Sequence, residues 1–251
     1  MKRFEGKVGI VTGAGSGIGK ATLIRFVREG GLGIAVDISQ ERLDQLVTEL
    51  AAEGLQTKTI AGDLTFNSTI DAIVEMAGSK IDVLINNAGI MDEFVPLDEL
   101  DDEMWDRVIS VNLTSVMKLS RAVIRKMLIT GGGAIVTTSS GAAFKSGIAG
   151  TAYTSSKHGV NGLVKSISTI YGSRGIRSNA VAPGGTKTNI MDMSKPIKGG
   201  TTLQVLGANM ANASRTAEPE EVAACILFLA SDDASNVNGV IMASDSGWTA
   251  K

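Results

Sequence analysis

Short continuous apolar runs recur along the chain, and turn residues bound each of them. Runs of this kind are typical of strands that are buried on both faces of a parallel sheet. They predict strands over 7–11, 33–36, 57–61, 81–85, 134–138, 177–182 and 240–243.

Between these runs, apolar residues return every three or four positions, which is the period of an amphipathic helix. In 40–52, for example, the apolar stripe consists of Leu43, Leu46, Val47 and Leu50. The predicted helices are 17–28, 40–52, 69–76, 101–128, 151–173 and 218–231. Strands that alternate with helices indicate an α/β protein, a doubly wound parallel sheet with helices on both faces.

No linker, low-complexity tract or short repeat interrupts this alternation, so we expect one domain over 1–251. The stretch 185–214 lacks a clear period. Long irregular segments inside a compact domain are commonly binding loops, and we expect this one to contact substrate.

Charge and composition exclude several classes of function. The net charge is −2 and no basic cluster occurs, which disfavours binding to nucleic acid. No apolar run approaches the roughly 18 residues of a membrane span, and the polar sequence after Met1 is unlike a signal peptide. One cysteine, Cys225, excludes an internal disulfide, and one histidine excludes a multi-histidine metal site. We expect a cytoplasmic protein without a metal.

A glycine-rich turn joins the first predicted strand to the first predicted helix. Gly13, Gly17 and Gly19 permit a tight turn and let backbone N–H groups approach a pyrophosphate, with Ser16 and Ile18 between them. The amino end of the helix adds a partial positive charge. Because a strand precedes this turn and a helix follows it, the turn predicts a dinucleotide site.

Asp37 ends the second predicted strand. A carboxylate at this place can accept hydrogen bonds from the adenosine ribose and repel a 2′-phosphate. Its neighbours Ser16 and Ile38 are neutral, so no cation favours a 2′-phosphate there. We therefore expect NAD rather than NADP. The alternative is an aspartate that only caps the next helix.

Two later turns extend the predicted site. Asp63 and Leu64 follow the third strand, where a carboxylate can bind the adenine amino group and a leucine can cover the ring. An ordinary turn aspartate is the alternative. After the fourth strand come Asn87, Ala88 and Gly89, which allow close backbone approach, and whose amide side chain can tie strands together.

Four polar residues suit proton transfer to a carbonyl or alcohol. Tyr153 and Lys157 share one face of a predicted helix, one turn apart. A free phenol has a pKa near 10, and a nearby ammonium favours the phenolate. Ser140 can bind the substrate oxygen, while Asn112 could break its helix and hold a water for proton relay.

These features closely resemble the short-chain dehydrogenases/reductases, in order and in spacing. The resemblance rests on Thr12, Gly13, Gly17, Gly19, Asp63, Asn86 to Gly89, Asn112, Ser140, Tyr153, Lys157, Pro183 and Gly184. It implies a Rossmann fold with a seven-stranded parallel sheet. It also implies a catalytic tetrad of Asn112, Ser140, Tyr153 and Lys157, in which the lysine holds the nicotinamide ribose as well.

The resemblance implies further contacts to the cofactor from Pro183, Gly184, Thr186 and Thr188. Ser140 is preferred to Ser139 because the family usually places its serine thirteen residues before the tyrosine. Ser246 departs from a glycine that is frequent in the family's tail, and its side chain could alter packing between subunits. The family is usually tetrameric or dimeric, so we expect a homo-oligomer, with the homotetramer foremost.

The leading hypothesis is an NAD-dependent oxidoreductase of a small or medium secondary alcohol or ketone. A 3-oxoacyl-carrier-protein reductase that uses NADPH is one alternative, and a dinucleotide-binding sensor or scaffold without turnover is another. Pocket walls are expected from 90–96, 141–151 and 185–214, namely Ile90, Met91, Phe94, Phe144, Ile148, Thr151, Asn189, Met191 and Met193.

Overall fold

A computed structural model describes residues 2–190, 204–205, 207–209 and 213–250 of the chain. Within these ranges seven strands form one parallel sheet in the order β3-β2-β1-β4-β5-β6-β7. The strands are β1 (Val8–Thr12), β2 (Leu32–Asp37), β3 (Thr57–Ala61), β4 (Val83–Asn86), β5 (Gly133–Thr138), β6 (Ile176–Pro183) and β7 (Ile241–Ser244). The predicted Rossmann fold is confirmed, since this order is that of a doubly wound sheet with one added edge strand.

Helices cover both faces of the sheet. In the described part of the chain they are α1 (Gly17–Arg28), α2 (Gln40–Ala52), α3 (Asn67–Ala77), α4 (Asp102–Ile109), α5 (Ser115–Thr130), α6 (Thr151–Tyr171) and α7 (Pro219–Ala230). Buried residues of α1, α2 and α7 pack in one hydrophobic cluster, and those of α3, α5 and α6 pack in another. The predicted bounds of the strands and of most helices hold to within two residues.

Successive residues of a central strand serve opposite faces. In β1, Val11 packs in the first cluster with Phe26 of α1, while Ile10 packs in the second with Leu119 of α5. Side chains alternate across a strand, so a sheet that is covered on both faces needs apolar residues at nearly every position. This is why the strands are visible in the sequence as continuous apolar runs.

The helix predicted over 101–128 is wrong at its middle. Helix α4 ends at Ile109, a π-helical turn covers Ser110–Thr114, and α5 begins at Ser115. The segment holds neither glycine nor proline, so the amide side chain of Asn112 is the one sign of a break in the sequence. Single π turns in helices are frequent at functional sites, and this one contains the buried Asn112.

The carboxyl ends of all seven described strands lie at one edge of the sheet, because the strands are parallel. The order reverses between β1 and β4, and ligands bind at such a switch point in open α/β sheets. Elsewhere, Ser246 takes a φ of 54°, so the serine at this departure from the family adopts a conformation that favours glycine. None of the described helices is both long and apolar enough to cross a bilayer.

Candidate active site

A cavity of about 1010 Å³ opens at the carboxyl edge of the sheet, over the switch point. It is as large as the biggest pockets that hold small molecules, which leaves room for a dinucleotide and a substrate together. The predicted site residues on its wall are Gly13, Ser16, Gly17, Ile18, Asp37, Ile38, Asp63, Leu64, Asn87, Ala88, Gly89, Ser140, Tyr153, Lys157, Pro183, Gly184, Thr186 and Thr188. Among the predicted site residues, all of which are described, Gly19 and Asn112 lie outside this wall.

The glycine turn after β1 is shaped by close contacts. Gly13 and Gly17 have φ angles of 65° and 51°, which side-chain-bearing residues rarely adopt. A Cβ on Gly17 would lie 2.9 Å from Cγ2 of Thr188, so the turn faces the loop after β6. A Cβ on Gly19 would lie 2.1 Å from the carbonyl oxygen of Gly13. Gly19 therefore serves the packing of α1 against the turn.

Asn87 ties three strand ends together beneath the cavity. Its backbone N–H donates to Oγ1 of Thr12 at 2.9 Å, and its Nδ2 donates to the Thr12 carbonyl at 3.2 Å. Its Oδ1 accepts from Oγ1 of Thr138 at 3.1 Å. The predicted role of this amide in joining neighbouring strands is met, and it holds the ends of β1, β4 and β5 in one arrangement.

Asp37 is buried and accepts hydrogen bonds from several donors. Its Oδ2 accepts from the N–H of Gly15 at 2.9 Å, and its Oδ1 accepts from the N–H of Ser39 at 3.0 Å. Oδ1 also accepts from Nη2 of Arg42 at 2.6 Å. The expectation that no cation lies beside Asp37 is therefore wrong. Arg42 stands five residues further on, in the first turn of α2, and this spacing from a strand end could have revealed it.

Asp63 shapes its own turn and lines the cavity, and its role toward adenine stays a prediction. Its Oδ1 accepts from the N–H of Thr65 at 2.8 Å, which is the contact of an ordinary turn aspartate. It also lines the cavity together with Leu64, at the side where β3 ends. The side chain is thus placed to meet a ligand while it shapes its own loop.

Tyr153 lies in the first turn of α6 with little exposure, and Ser140 forms a side-chain hydrogen bond with it. Nζ of Lys157 lies 5.4 Å from the centroid of the tyrosine ring and donates to the Thr138 carbonyl at 2.9 Å. The structure therefore brings Ser140, Tyr153 and Lys157 together on one wall.

Burial controls the protonation of this group. It raises the pKa of Tyr153 to about 12, against the hydrogen bond from Ser140, which lowers it, while the charge of Asp92 raises it further. Burial also lowers the pKa of Lys157 to about 8. The expected depression of the tyrosine pKa by Lys157 does not hold for the protein alone. The ammonium donates to the Thr138 carbonyl and lies 5.4 Å from the centroid of the tyrosine ring.

Asn112 connects two segments behind the cavity. Its Oδ1 accepts from the N–H of Ile90 at 2.9 Å, and its Nδ2 donates to the Ile90 carbonyl at 2.9 Å and to Oγ of Ser156 at 3.3 Å. It thereby holds the loop after β4 against α6. Its expected role in a water relay stays a prediction.

The substrate end of the cavity is partly as expected. Ile90, Met91, Phe94 and Asn189 line it, whereas Phe144, Ile148 and Thr151 do not. Ile148 packs instead in a small cluster that includes the wall residues Phe94 and Tyr153. Met191 and Met193 lie outside the described residues. Glu93 and Ile190 also line the cavity and fall in the segments predicted as walls, whereas the sequence did not point to Arg42, Asp101, Glu103, Met104, Arg107, Ser110 and Val111.

No group of three or more histidine, cysteine, aspartate or glutamate side chains in the described residues is arranged to hold a metal ion. The cavity is lined instead by the backbone and small residues at the strand ends, with the carboxylate of Asp37 beside them. Such a cradle fits a dinucleotide, because its glycines leave the space that a pyrophosphate fills.

Comparisons with known proteins agree with this geometry. A family model described as short chain dehydrogenase matches residues 7–198. The chain is 39% identical over 252 residues to 3beta-hydroxysteroid dehydrogenase 2 of Eggerthella lenta, which covers 98% of this chain and 96% of the relative. It is 42% identical over 250 residues to a 3-oxoacyl-[acyl-carrier-protein] reductase of Thermotoga maritima, with 98% of both chains covered.

Solved structures are similar over almost the whole chain. One is a candidate NAD(P) dependent gluconate 5-dehydrogenase from Beutenbergia cavernae with bound NADP at low occupancy, with a TM-score of 0.88, 33% identity and 100% of both chains covered. Another is levodione reductase, with a TM-score of 0.89, 32% identity and coverage of 98% of this chain and 99% of that chain.

Proposed function

Because the chain belongs to the short-chain dehydrogenase family, we propose that it transfers a hydride between NAD(H) and a secondary alcohol or its ketone. The observation that carries this proposal is the meeting of Ser140, Tyr153 and Lys157 on the wall that also holds the glycine turn and Asp37. A phenol, a hydroxyl and an ammonium that face a dinucleotide cradle are the groups that proton transfer to a carbonyl oxygen requires.

In the direction of reduction, the carbonyl carbon accepts the hydride and the phenol of Tyr153 passes its proton to the carbonyl oxygen. Ser140 donates a hydrogen bond to the same oxygen as negative charge develops on it. A phenol with a pKa of about 12 is fully protonated at neutral pH, which suits a proton donor. The bound nicotinamide supplies the hydride in reduction and, when oxidised, a positive charge that favours the phenolate.

The preference for NAD rests on Asp37. Its carboxylate lines the cavity at the end of β2, where ribose hydroxyls can donate to it and a 2′-phosphate would be repelled. Arg42 weakens that argument, since a guanidinium on the same wall attracts phosphate. We infer that NAD is favoured because Arg42 is already paired with the carboxylate and its charge is offset.

A second candidate is a 3-oxoacyl-carrier-protein reductase, which the Thermotoga maritima relative favours. A carrier protein is acidic, and the segment beside the cavity is acidic too. Six carboxylates stand between Asp98 and Asp106, and Asp101 and Glu103 reach the wall. Like charges at a docking surface oppose association, so we place this function second.

The test is turnover by the wild type and by Tyr153→Phe. We expect oxidation of some secondary alcohols with NAD, followed as the absorbance of NADH, across a panel that includes hydroxysteroids. Loss of the phenolic proton should lower kcat by about 10² to 10⁴-fold, while the affinity for NADH stays within a few fold.

Tyr171→Phe is the matched control, because Tyr171 is the other of the two tyrosines and lies at the far end of α6. A Tyr153→Phe variant with wild-type kcat would contradict the proposal. A strong preference for 3-oxoacyl thioesters and NADPH would favour the second candidate, and a protein that binds NADH but turns over nothing would favour the sensor. The single domain, the homo-oligomer and the cytoplasmic location stay predictions.

A further inference from the structure

Asp92 is a fully buried carboxylate that touches the active-site helix from outside it. Its Oδ2 accepts from the backbone N–H of Tyr153 at 2.8 Å, and its Oδ1 accepts from the N–H of Gly150 at 3.1 Å. Oδ1 also accepts from the N–H of Phe94 at 3.3 Å. One side chain thus binds the loop after β4 to the amino end of α6, 58 and 61 residues away in the chain.

Helix α6 has no cap of its own at this end. Its N-cap residue is Gly150, which has no side chain that could accept the free N–H groups of the first turn. A Cβ at Gly150 would lie 2.5 Å and 2.6 Å from the two carboxylate oxygens of Asp92. Gly150 has φ −73°, so glycine is not needed for the backbone conformation. It is needed for the approach of the carboxylate.

The two residues that follow Asp92 have a strained backbone. Glu93 and Phe94 have φ angles of 54° and 59°, in the left-handed region. Such a conformation is unfavourable for a residue with a side chain and persists where the surroundings hold it. The hydrogen bond from Phe94 to Asp92 holds it here, and the buried Phe94 packs in the same small cluster as Tyr153.

We propose that Asp92 is a positioning residue of the reaction, whose carboxylate caps α6 and fixes both Tyr153 and the Phe94 wall of the substrate pocket. The proposal rests on the function proposed above. Asp92 does not touch the reacting atoms and acts through the residues that it holds. Phe94 lines the cavity beside Tyr153. The carboxylate of Asp92 therefore fixes both the wall of the substrate pocket and the proton donor.

The charge of Asp92 has an effect that packing alone would not have. Among the described residues, the charged groups near Tyr153 are Lys157 on its own helix and Asp92 on the loop after β4, and Glu93 lines the same cavity. The negative charge of Asp92 raises the pKa of Tyr153. It also offsets the positive amino end of α6, which would otherwise favour the phenolate. Burial raises the pKa of Asp92 itself.

The first test measures the ionisation of the Tyr153 phenol and does not require turnover. In a Tyr171→Phe background Tyr153 is the single tyrosine, so the ultraviolet difference absorbance of phenolate reports its ionisation. After a pH jump, recorded before unfolding sets in, we expect Asp92→Asn to ionise at a pH lower by roughly half a unit to one unit. Asp98→Asn, an exposed carboxylate of the same segment, is the matched control and should not shift it.

The second test reads the reaction. We expect Asp92→Asn to lower kcat by about tenfold or more, at little change in NADH affinity, because an amide has one acceptor oxygen and cannot accept from the N–H groups of Tyr153, Gly150 and Phe94 together. Gly150→Ala should repeat both effects by displacing the carboxylate. In an Asp92→Ser background, where that clash is removed, Gly150→Ala should cost little more.

Several results would overturn the proposal. One is an unchanged pH of ionisation of Tyr153 in both Asp92→Asn and Gly150→Ala. A fall in kcat alone would not rescue the proposal, since a purely structural role of Asp92 would also lower kcat. Another is a wild-type kcat in both. If Asp92→Asn does not fold, Gly150→Ala decides with the same readouts. The phenol titration needs no substrate, so it still tests Asp92 if the wild type fails to turn over any alcohol or ketone.

Discussion

Asp37 and the neighbouring Arg42 have opposite effects on the choice between NAD and NADP. The charge of Asp37 disfavours a 2′-phosphate, while Arg42, bound to the same oxygen as Ser39 N–H, could receive one. With both charges present in one ion pair, the charge of Arg42 is offset and the balance favours NAD. The preference for NAD therefore depends on the carboxylate of Asp37.

We expect Asp37→Asn to change the ratio of the affinities for NADPH and NADH by about 10 to 100-fold in favour of NADPH, which is about 1.4–2.8 kcal/mol. The amide removes the repulsion and releases Arg42 from its ion pair. Fluorescence titration with each reduced cofactor measures it. Arg42→Gln alone should not improve NADPH binding, and Asp37→Asn/Arg42→Gln should lose the gain. A double variant that keeps it would contradict the role of Arg42.

The pH dependence of ketone reduction should follow Lys157. Its folded pKa is about 8, so the ammonium is present below that pH and is lost as the pH rises through it. The phenol of Tyr153 keeps its proton until about pH 12 and does not limit the reaction in this range. We therefore expect kcat/KM for a ketone with NADH to be level below about pH 8 and to fall above it.

Lys157→Arg is the control for this profile. A guanidinium stays charged throughout, so its lower rate should show no decline at that pH. Rates of ketone reduction that climb steadily from neutral pH to pH 10 in the wild type would show that Lys157 does not control the proton donor.

At the scale of elements, α1 meets the strand ends through a contact that only glycine permits. A Cβ on Gly19 would come 2.1 Å from the Gly13 carbonyl oxygen and 2.5 Å from Nδ2 of Asn87. We expect Gly19→Ala to lower the free energy of unfolding by about 1–3 kcal/mol, since the helix must move away from β1 and β4. Urea unfolding measures this loss, and a weaker affinity for NADH should accompany it.

Gly162→Ala is the matched control for that substitution. Gly162 lies inside α6, and a Cβ there would meet nothing within 4 Å. Alanine is favoured over glycine in a helix interior by about 1 kcal/mol, so this variant should be as stable as the wild type or more so. Equal loss in both variants would refute the packing role of Gly19.

Most helices and strands could be predicted from the sequence. Strands buried on both faces, such as β1, consist of apolar residues and appear as continuous apolar runs, and α1 and α2 have a clear helical period. Asn112 suggested a break in its helix, but the π turn at Ser110–Thr114 was not accessible, since the segment holds neither glycine nor proline. The same holds for the contact of Asp92 with α6, which joins distant segments and has no local pattern. The spacing of the motifs was sufficient to predict most residues that line the cavity. It did not predict the pKa values of Tyr153 and Lys157, because burial in the folded protein sets them.

For the whole molecule, a single cavity wall gathers groups from six of the strand ends, from Gly13 after β1 to Pro183 in β6. A cofactor that bridges them stabilises the folded state and not the unfolded chain. At a hundred times its Kd, NADH should add about 2.7 kcal/mol to the free energy of unfolding. For a chain of this size, that is a rise in Tm of about 5–10 °C.

Thermal melts with and without NADH measure this shift, and Tyr153→Phe should show the same rise as the wild type, since it keeps the cradle. A melt that NADH leaves unchanged at millimolar concentration would show that the cavity does not bind it, whatever the state of the catalytic group.

The order of strands has a consequence for how the chain is made. β1 lies inside the sheet between β2 and β4, yet β4 begins only at Val83, after three helices have been synthesised. Until those residues leave the ribosome, the half-built sheet ends in an unpaired row of backbone donors and acceptors along β1. Exposed edges of this kind invite pairing with other chains, so the nascent protein is open to aggregation during this interval.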